Sequence, residues 1–134
     1  LYTDWILSSI IDVIDQPNTV SSFTFVSDHG EHINKEGAGH GGNCSPVKEE
    51  YHVPFIFWWS DEYETLHPQK TYNAKLHTHS KINGDCIFYS ICDMAAIQLD
   101  SLYSKTSWSI FSPTFEEHSR LILLPDGINT IAVD

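Results

Sequence analysis

The chain has 134 residues, 41% hydrophobic and 13% aromatic, which is enough for one domain with a real core and too apolar for disorder. It carries 18 Asp and Glu against 7 Lys and Arg, a formal charge of -11. That balance argues against a nucleic-acid partner, whose phosphates need a basic face, and against charge-driven adsorption to anionic membrane.

A first helix is expected near the start, with Thr3 or Asp4 as its cap and Ile6, Leu7, Ile10, Ile11 and Ile14 as one apolar stripe. Pro17 and Asn18 end it. The sequence passes from Leu1 straight into this pattern, which reads as the back part of a longer protein. A strand follows over 22–27. The stretch 28–52 is polar and glycine-bearing with no clear period, and a loop of that length points to function. Residues 53–59 read as a second strand, apolar on both faces as in a buried parallel sheet, with Pro54 tolerable only near its start. This is also the longest apolar run, and it is far too short to span a bilayer.

Residues 60–82 are polar, with a short helix expected near Asp61–Leu66. A further amphipathic helix begins at Asn83 or Asp85 and runs to about Ile97 on Ile87, Phe88, Ile91, Met94 and Ala95. Residues 101–113 look irregular. Arg120 to Leu124 and Thr130 to Val133 flank a turn and read as a hairpin. The order predicts an α/β layer structure with a mixed sheet, whose sites gather at the carboxyl ends of strands.

Asp28-His29-Gly30-Glu31 stands at such an end. A carboxylate oxygen and an imidazole nitrogen side by side suit Zn²⁺, and Mn²⁺ less well. Gly30 would permit the sharp turn, and Glu31 would orient an imidazole from behind. His40, flanked by glycines, is placed to reach a phosphate oxygen or a second metal. Two ligands do not complete a catalytic zinc site, and the competing reading is a turn with a capping Asp and a surface His. His77 and His79 would form a second metal pair if extended but, lying in a polar connector, read as exposed loop histidines; His52, His67 and His118 read as surface residues. Phe55, Phe57, Trp58 and Trp59 read as sheet core. Glu49-Glu50 and Asp61-Glu62 read as solvated faces. Cys44, Cys86 and Cys92 are an odd number and give no disulfide framework, so buried or idle thiols are expected.

Ser27 to Glu31, the glycine-flanked His40, and His52-Val-Pro-Phe-Ile-Phe-Trp58 followed by Ser60-Asp61-Glu62-Tyr63 resemble the sulfatase-like phosphoethanolamine transferases of the alkaline-phosphatase superfamily. Gly84 to Ile91 and Ser101 to Ser112 resemble later segments of the same catalytic domain, in the same order. The resemblance implies the C-terminal portion of an alkaline-phosphatase-like α/β/α sandwich over residues 1–134. It implies zinc-dependent transfer of phosphoethanolamine from a phospholipid to lipid A or another envelope glycan, at the periplasmic face of the bacterial inner membrane. Asp28 and His29 would then be zinc ligands and His40 the catalytic histidine that contacts the phosphoryl group or a second zinc. A glutamate and a threonine nucleophile would come from a preceding part, together with the membrane anchor. Asn83-Gly84-Asp85 keeps only the Asp of the family's usual His-Asp-Asn. A hydrolytic sulfatase or phosphodiesterase, and a non-catalytic acidic binding domain, stand as alternatives. The isolated chain is expected to lack transfer activity and to self-associate.

Overall fold

A computed structural model describes residues 2–34, 37–39, 48–101, 104–124 and 127–132. Helix α1 spans Tyr2–Ile14, so Thr3 and Asp4 lie inside its first turn instead of capping it. The Asp4 charge there complements the helix dipole. The chain then reverses at Asn18, which takes a left-handed φ of 61° and donates its N–H to Glu62 Oε1 at 2.9 Å. Strand β1 follows at Ser22–Val26, then the short strands β2 (His32–Asn34) and β3 (Gly37–Gly39) and a single helical turn α2 (Lys48–Tyr51). Strand β4 covers Phe55–Trp59, helix α3 Asp61–Leu66, α4 Pro68–Leu76 and α5 Asp85–Met94. A 3-10 turn at Thr106–Trp108 leads to the hairpin of β5 (Leu121–Leu123) and β6 (Thr130–Ala132).

β1 and β4 pair antiparallel, with Val26 opposite Phe55 and Ser22 opposite Trp59. The parallel arrangement read from an all-apolar strand is therefore corrected. Phe55, Phe57 and Trp59 share the covered face, while Ile56 on the other remains 39% exposed. β2 pairs with β3 and β5 with β6, each antiparallel. The stretch after Asp28 thus holds a hairpin and a helical turn that its lack of period concealed. Helix α4 was equally hidden, because its buried positions are Thr71, Asn73 and Ala74 rather than large apolar residues. Pro68 at its first position supplies a ready-made φ.

The core gathers Tyr63, Ala74, Met94, Ile110 and Phe111, with Phe57, Trp59, Ile82 and Phe115 packed around them. Phe111 is 1% exposed and meets Phe57 edge-on at 5.1 Å and Trp59 at 6.1 Å between ring centroids. Two buried polar side chains of the core are bonded across elements. The Tyr63 hydroxyl donates to the Met94 carbonyl at 2.7 Å, and Asn73 Nδ2 donates to the Phe111 carbonyl at 2.9 Å. Burial of Tyr63, helped by the Asp93 charge, pushes its phenol up to about 12. Ser60 does three things with one hydroxyl: it caps α3 by accepting from the Tyr63 N–H, accepts from the Ser21 N–H, and donates to the Thr19 carbonyl. That hydroxyl fixes the start of β1 against the end of β4, and so fixes where the far end of β1 delivers Asp28.

Cys86 and Cys92 are buried free thiols. Burial pushes the Cys86 thiol up, away from the reactive thiolate. Cys44 lies outside the described residues. No helix among the described residues is long and apolar enough to cross a membrane.

Candidate metal-binding turn and cleft

Asp28 and His29 leave the carboxyl end of β1, where the strand order placed them. Asp28 Oδ1 accepts the N–H of His29 at 3.1 Å. Its Oδ2 faces His29 Nε2 at 3.9 Å. His29 Nδ1 lies 2.9 Å from the Gly30 carbonyl. A carbonyl can only accept, so Nδ1 carries a proton, which leaves Nε2 as the ring nitrogen that a metal would use. The Ser27 hydroxyl holds the same turn by donating to the His29 carbonyl at 2.8 Å.

This donor pair fits a divalent ion. Two bonds of about 2 Å span up to about 4 Å, and the Asp28 side chain, 89% exposed, is free to rotate inward. Among the described residues no group of three or more His, Cys, Asp or Glu side chains converges on one point. Glu31 is exposed, and the Nδ1 contact expected of an orienting carboxylate is made by the Gly30 carbonyl. His40 lies outside the described residues.

Gly30 serves a purpose other than the one its type suggested. Its φ is not in the left-handed region, and a Cβ there would stand 2.0 Å from the Glu49 carbonyl oxygen. Its N–H donates to the Glu50 carbonyl at 2.7 Å. Glycine is required because the turn presses directly on the backbone of α2.

Beside the turn opens a cleft of about 500 Å³ that reaches from Asp28 and His29 past Lys48 and Asn83 to Arg120. Arg120 is the sole arginine of the sequence, and Lys48 is one of six lysines. Finding both along one cleft of so acidic a chain was not anticipated from local patterns, although the rarity of arginine was a usable signal. Glu50 was also missed. Read as part of a solvated run, it is 5% exposed, with Oε1 2.7 Å from His32 Nδ1.

Three other histidines pack into the fold. His77 is half-buried, with Nδ1 2.7 Å from the Ile110 carbonyl and its ring on Phe115, so it does not form the extended pair imagined with His79. His118, expected at the surface, is half-buried and stacks on Trp108 at 3.8 Å. His67 packs on Tyr63. His52 is exposed and borders the cleft.

Comparison with known proteins agrees with the motifs. The phosphoethanolamine transferase EptC of Escherichia coli K12 is 26% identical over 98% of this chain and 22% of its own length. EptA of Helicobacter pylori is 28% identical over 67% of this chain and 16% of its own length. The crystal structure of the C-terminal periplasmic domain of E. coli EptC matches with a TM-score of 0.80 at 25% identity, over 98% of this chain and 37% of that one. The same domain in complex with Zn matches at 0.81. The chain thus spans about a fifth of the length of the curated relatives that it matches from end to end. Its mixed helix and strand architecture is that of the alkaline-phosphatase-like periplasmic domain. With the Sulfatase family matching residues 1–95, the chain belongs to the sulfatase family, and the likeness to phosphoethanolamine transferases read from its motifs holds along nearly its whole length.

Proposed function

We propose that this chain is the carboxyl-terminal part of the catalytic domain of a zinc-dependent phosphoethanolamine transferase, and that Asp28 and His29 supply half of its metal site. The observation that carries the reading is the turn itself. Asp28 Oδ2 and His29 Nε2 face each other at 3.9 Å, and the Gly30 carbonyl holds the tautomer that a ligand needs. The Zn complex of the similar EptC domain supports zinc as the ion. When bound, zinc would lower the pKa of a threonine nucleophile supplied from elsewhere in the protein and would stabilise charge developing on phosphorus.

The chain's own residues orient and attract. Asp28 and His29 hold the ion. His40, among its glycines, contacts the phosphoryl group. Lys48 and Arg120 put positive charge along the cleft leading from the turn, which favours a phosphate-bearing substrate in an otherwise acidic chain. The donor is a phospholipid, the acceptor lipid A or another envelope glycan, and the site faces the periplasm at the inner membrane.

The test is transfer of phosphoethanolamine from phospholipid to lipid A by the complete protein. Asp28→Asn and His29→Ala should each lower turnover by more than about a hundredfold, the upper end of what losing an outer-shell partner costs. Full transfer by both variants would refute the metal assignment. Release of the phosphoryl group to water with no transfer would instead mark a hydrolase.

A further inference from the structure

Glu50 and His32 form a buried pair beside the Asp28–His29 turn. Their side chains are 6% and 16% exposed, with Oε1 and Nδ1 2.7 Å apart. His32 lies on β2, opposite Gly39 of β3, and its ring passes over that glycine. Glu50 lies on α2, so the pair joins the hairpin after the turn to the helical turn that precedes β4. Glu50 makes a second attachment with its backbone, whose carbonyl accepts the Gly30 N–H at 2.7 Å. Residues 30 and 32 are therefore both tied to residue 50, one on each side of Glu31. Gly30 continues the connection, because its carbonyl accepts from His29 Nδ1. A shift of α2 relative to the turn would carry that carbonyl with it and rotate the imidazole.

We propose that Glu50 and His32 are positioning residues that lock α2 against residues 30–32 and so hold Asp28 and His29 in their metal-binding geometry. The inference rests on the reading that Asp28 and His29 bind zinc. It assigns neither residue to the ion. The pair acts through the backbone of Gly30, and what matters is a hydrogen bond, which an amide oxygen at position 50 also provides.

The experiment is a zinc titration of the complete protein against a competing chelator, with the thermal midpoint of the zinc-free form measured in parallel. Wild type, Glu50→Ala, His32→Ala, Glu50→Gln and Asp28→Asn are compared. Glu50→Ala and His32→Ala should weaken zinc binding about tenfold, as loss of an outer-shell partner does. Glu50→Gln should restore wild-type affinity, which a purely electrostatic role for the carboxylate would not allow. Where Glu50→Ala does not fold, His32→Ala stands in for it in both comparisons. Wild-type zinc affinity in Asp28→Asn would remove the underlying reading and the proposal with it. Loss of zinc in Asp28→Asn, with wild-type affinity in folded Glu50→Ala or His32→Ala, would overturn the positioning role alone. So would a Glu50→Gln protein as weak as Glu50→Ala.

Discussion

Replacing Gly30 by alanine tests how the Asp28–His29 turn is built. The new Cβ would stand 2.0 Å from the Glu49 carbonyl oxygen and 3.1 Å from its carbon. Ordinary contact begins near 3.4 Å, so turn and α2 must separate by 1.4 Å, the difference from 2.0 Å. The obstacle is backbone, which cannot swing aside as a side chain would. Moving apart by that much also breaks the 2.7 Å hydrogen bond from the Gly30 N–H to the Glu50 carbonyl. Overpacking costs about 1–3 kcal/mol and the lost bond about 1 kcal/mol more. The sum, about 2–4 kcal/mol, would lower the midpoint of the complete domain, of which this chain covers about a third in the similar EptC structure, by roughly 3–5 °C. Thermal unfolding of the complete catalytic domain reads this out, and zinc affinity should fall with it because the carbonyl of the same residue holds the His29 ring. Gly84→Ala is the control, since Gly84 has φ -57° and nothing within 4 Å of its would-be Cβ. That substitution should be neutral or slightly stabilising. A Gly30→Ala domain that melts and binds zinc like Gly84→Ala would refute the close-approach argument.

Phe111→Ala empties the centre of the core under Phe57 and Trp59 and should cost about 3–5 kcal/mol in chemical denaturation. Tyr63 titrates near 12 when folded against an ordinary 10.0, so its contribution is intact below pH 10 and is lost as pH rises toward 12, up to about 2–3 kcal/mol; denaturation at pH 9 and pH 11.5 should show this loss in wild type and not in Tyr63→Phe. Helix α1 has no buried residue, and its Trp5, Ile6, Ile10 and Val13 line an open apolar groove. The isolated 134-residue chain should therefore associate, and Ile10→Lys with Val13→Lys should reduce its light scattering.

What could be read from the sequence follows from how each element announces itself. α1, β4, α5 and the terminal hairpin carry strong apolar periods or flanking turn residues, and all were legible. α4 was not, because Thr71 and Asn73 are buried through hydrogen bonds to the His67 to Pro68 backbone and to Phe111 rather than through apolar area. Strand sense was not legible either: an apolar strand looks the same in a parallel or an antiparallel pair, and the pairing of β1 with β4 is set across 28 intervening residues. In the site, Asp28 and His29 were visible as adjacent ligand types at a strand end. Glu50 was invisible, because adjacent glutamates look solvated until a partner such as His32, 18 positions away, is brought to 2.7 Å. Gly30 was recognised as necessary for the wrong reason, since close approach by α2 is a tertiary fact.

The central claim is that Asp28 and His29 hold zinc. Anomalous scattering at the zinc edge, from crystals of the complete catalytic domain grown with zinc, tests it most directly. The account predicts a peak about 2 Å from Asp28 Oδ2 and from His29 Nε2, with His29 Nδ1 still within hydrogen-bond distance of the Gly30 carbonyl. A fully occupied zinc elsewhere, with neither residue in its coordination shell, would contradict it.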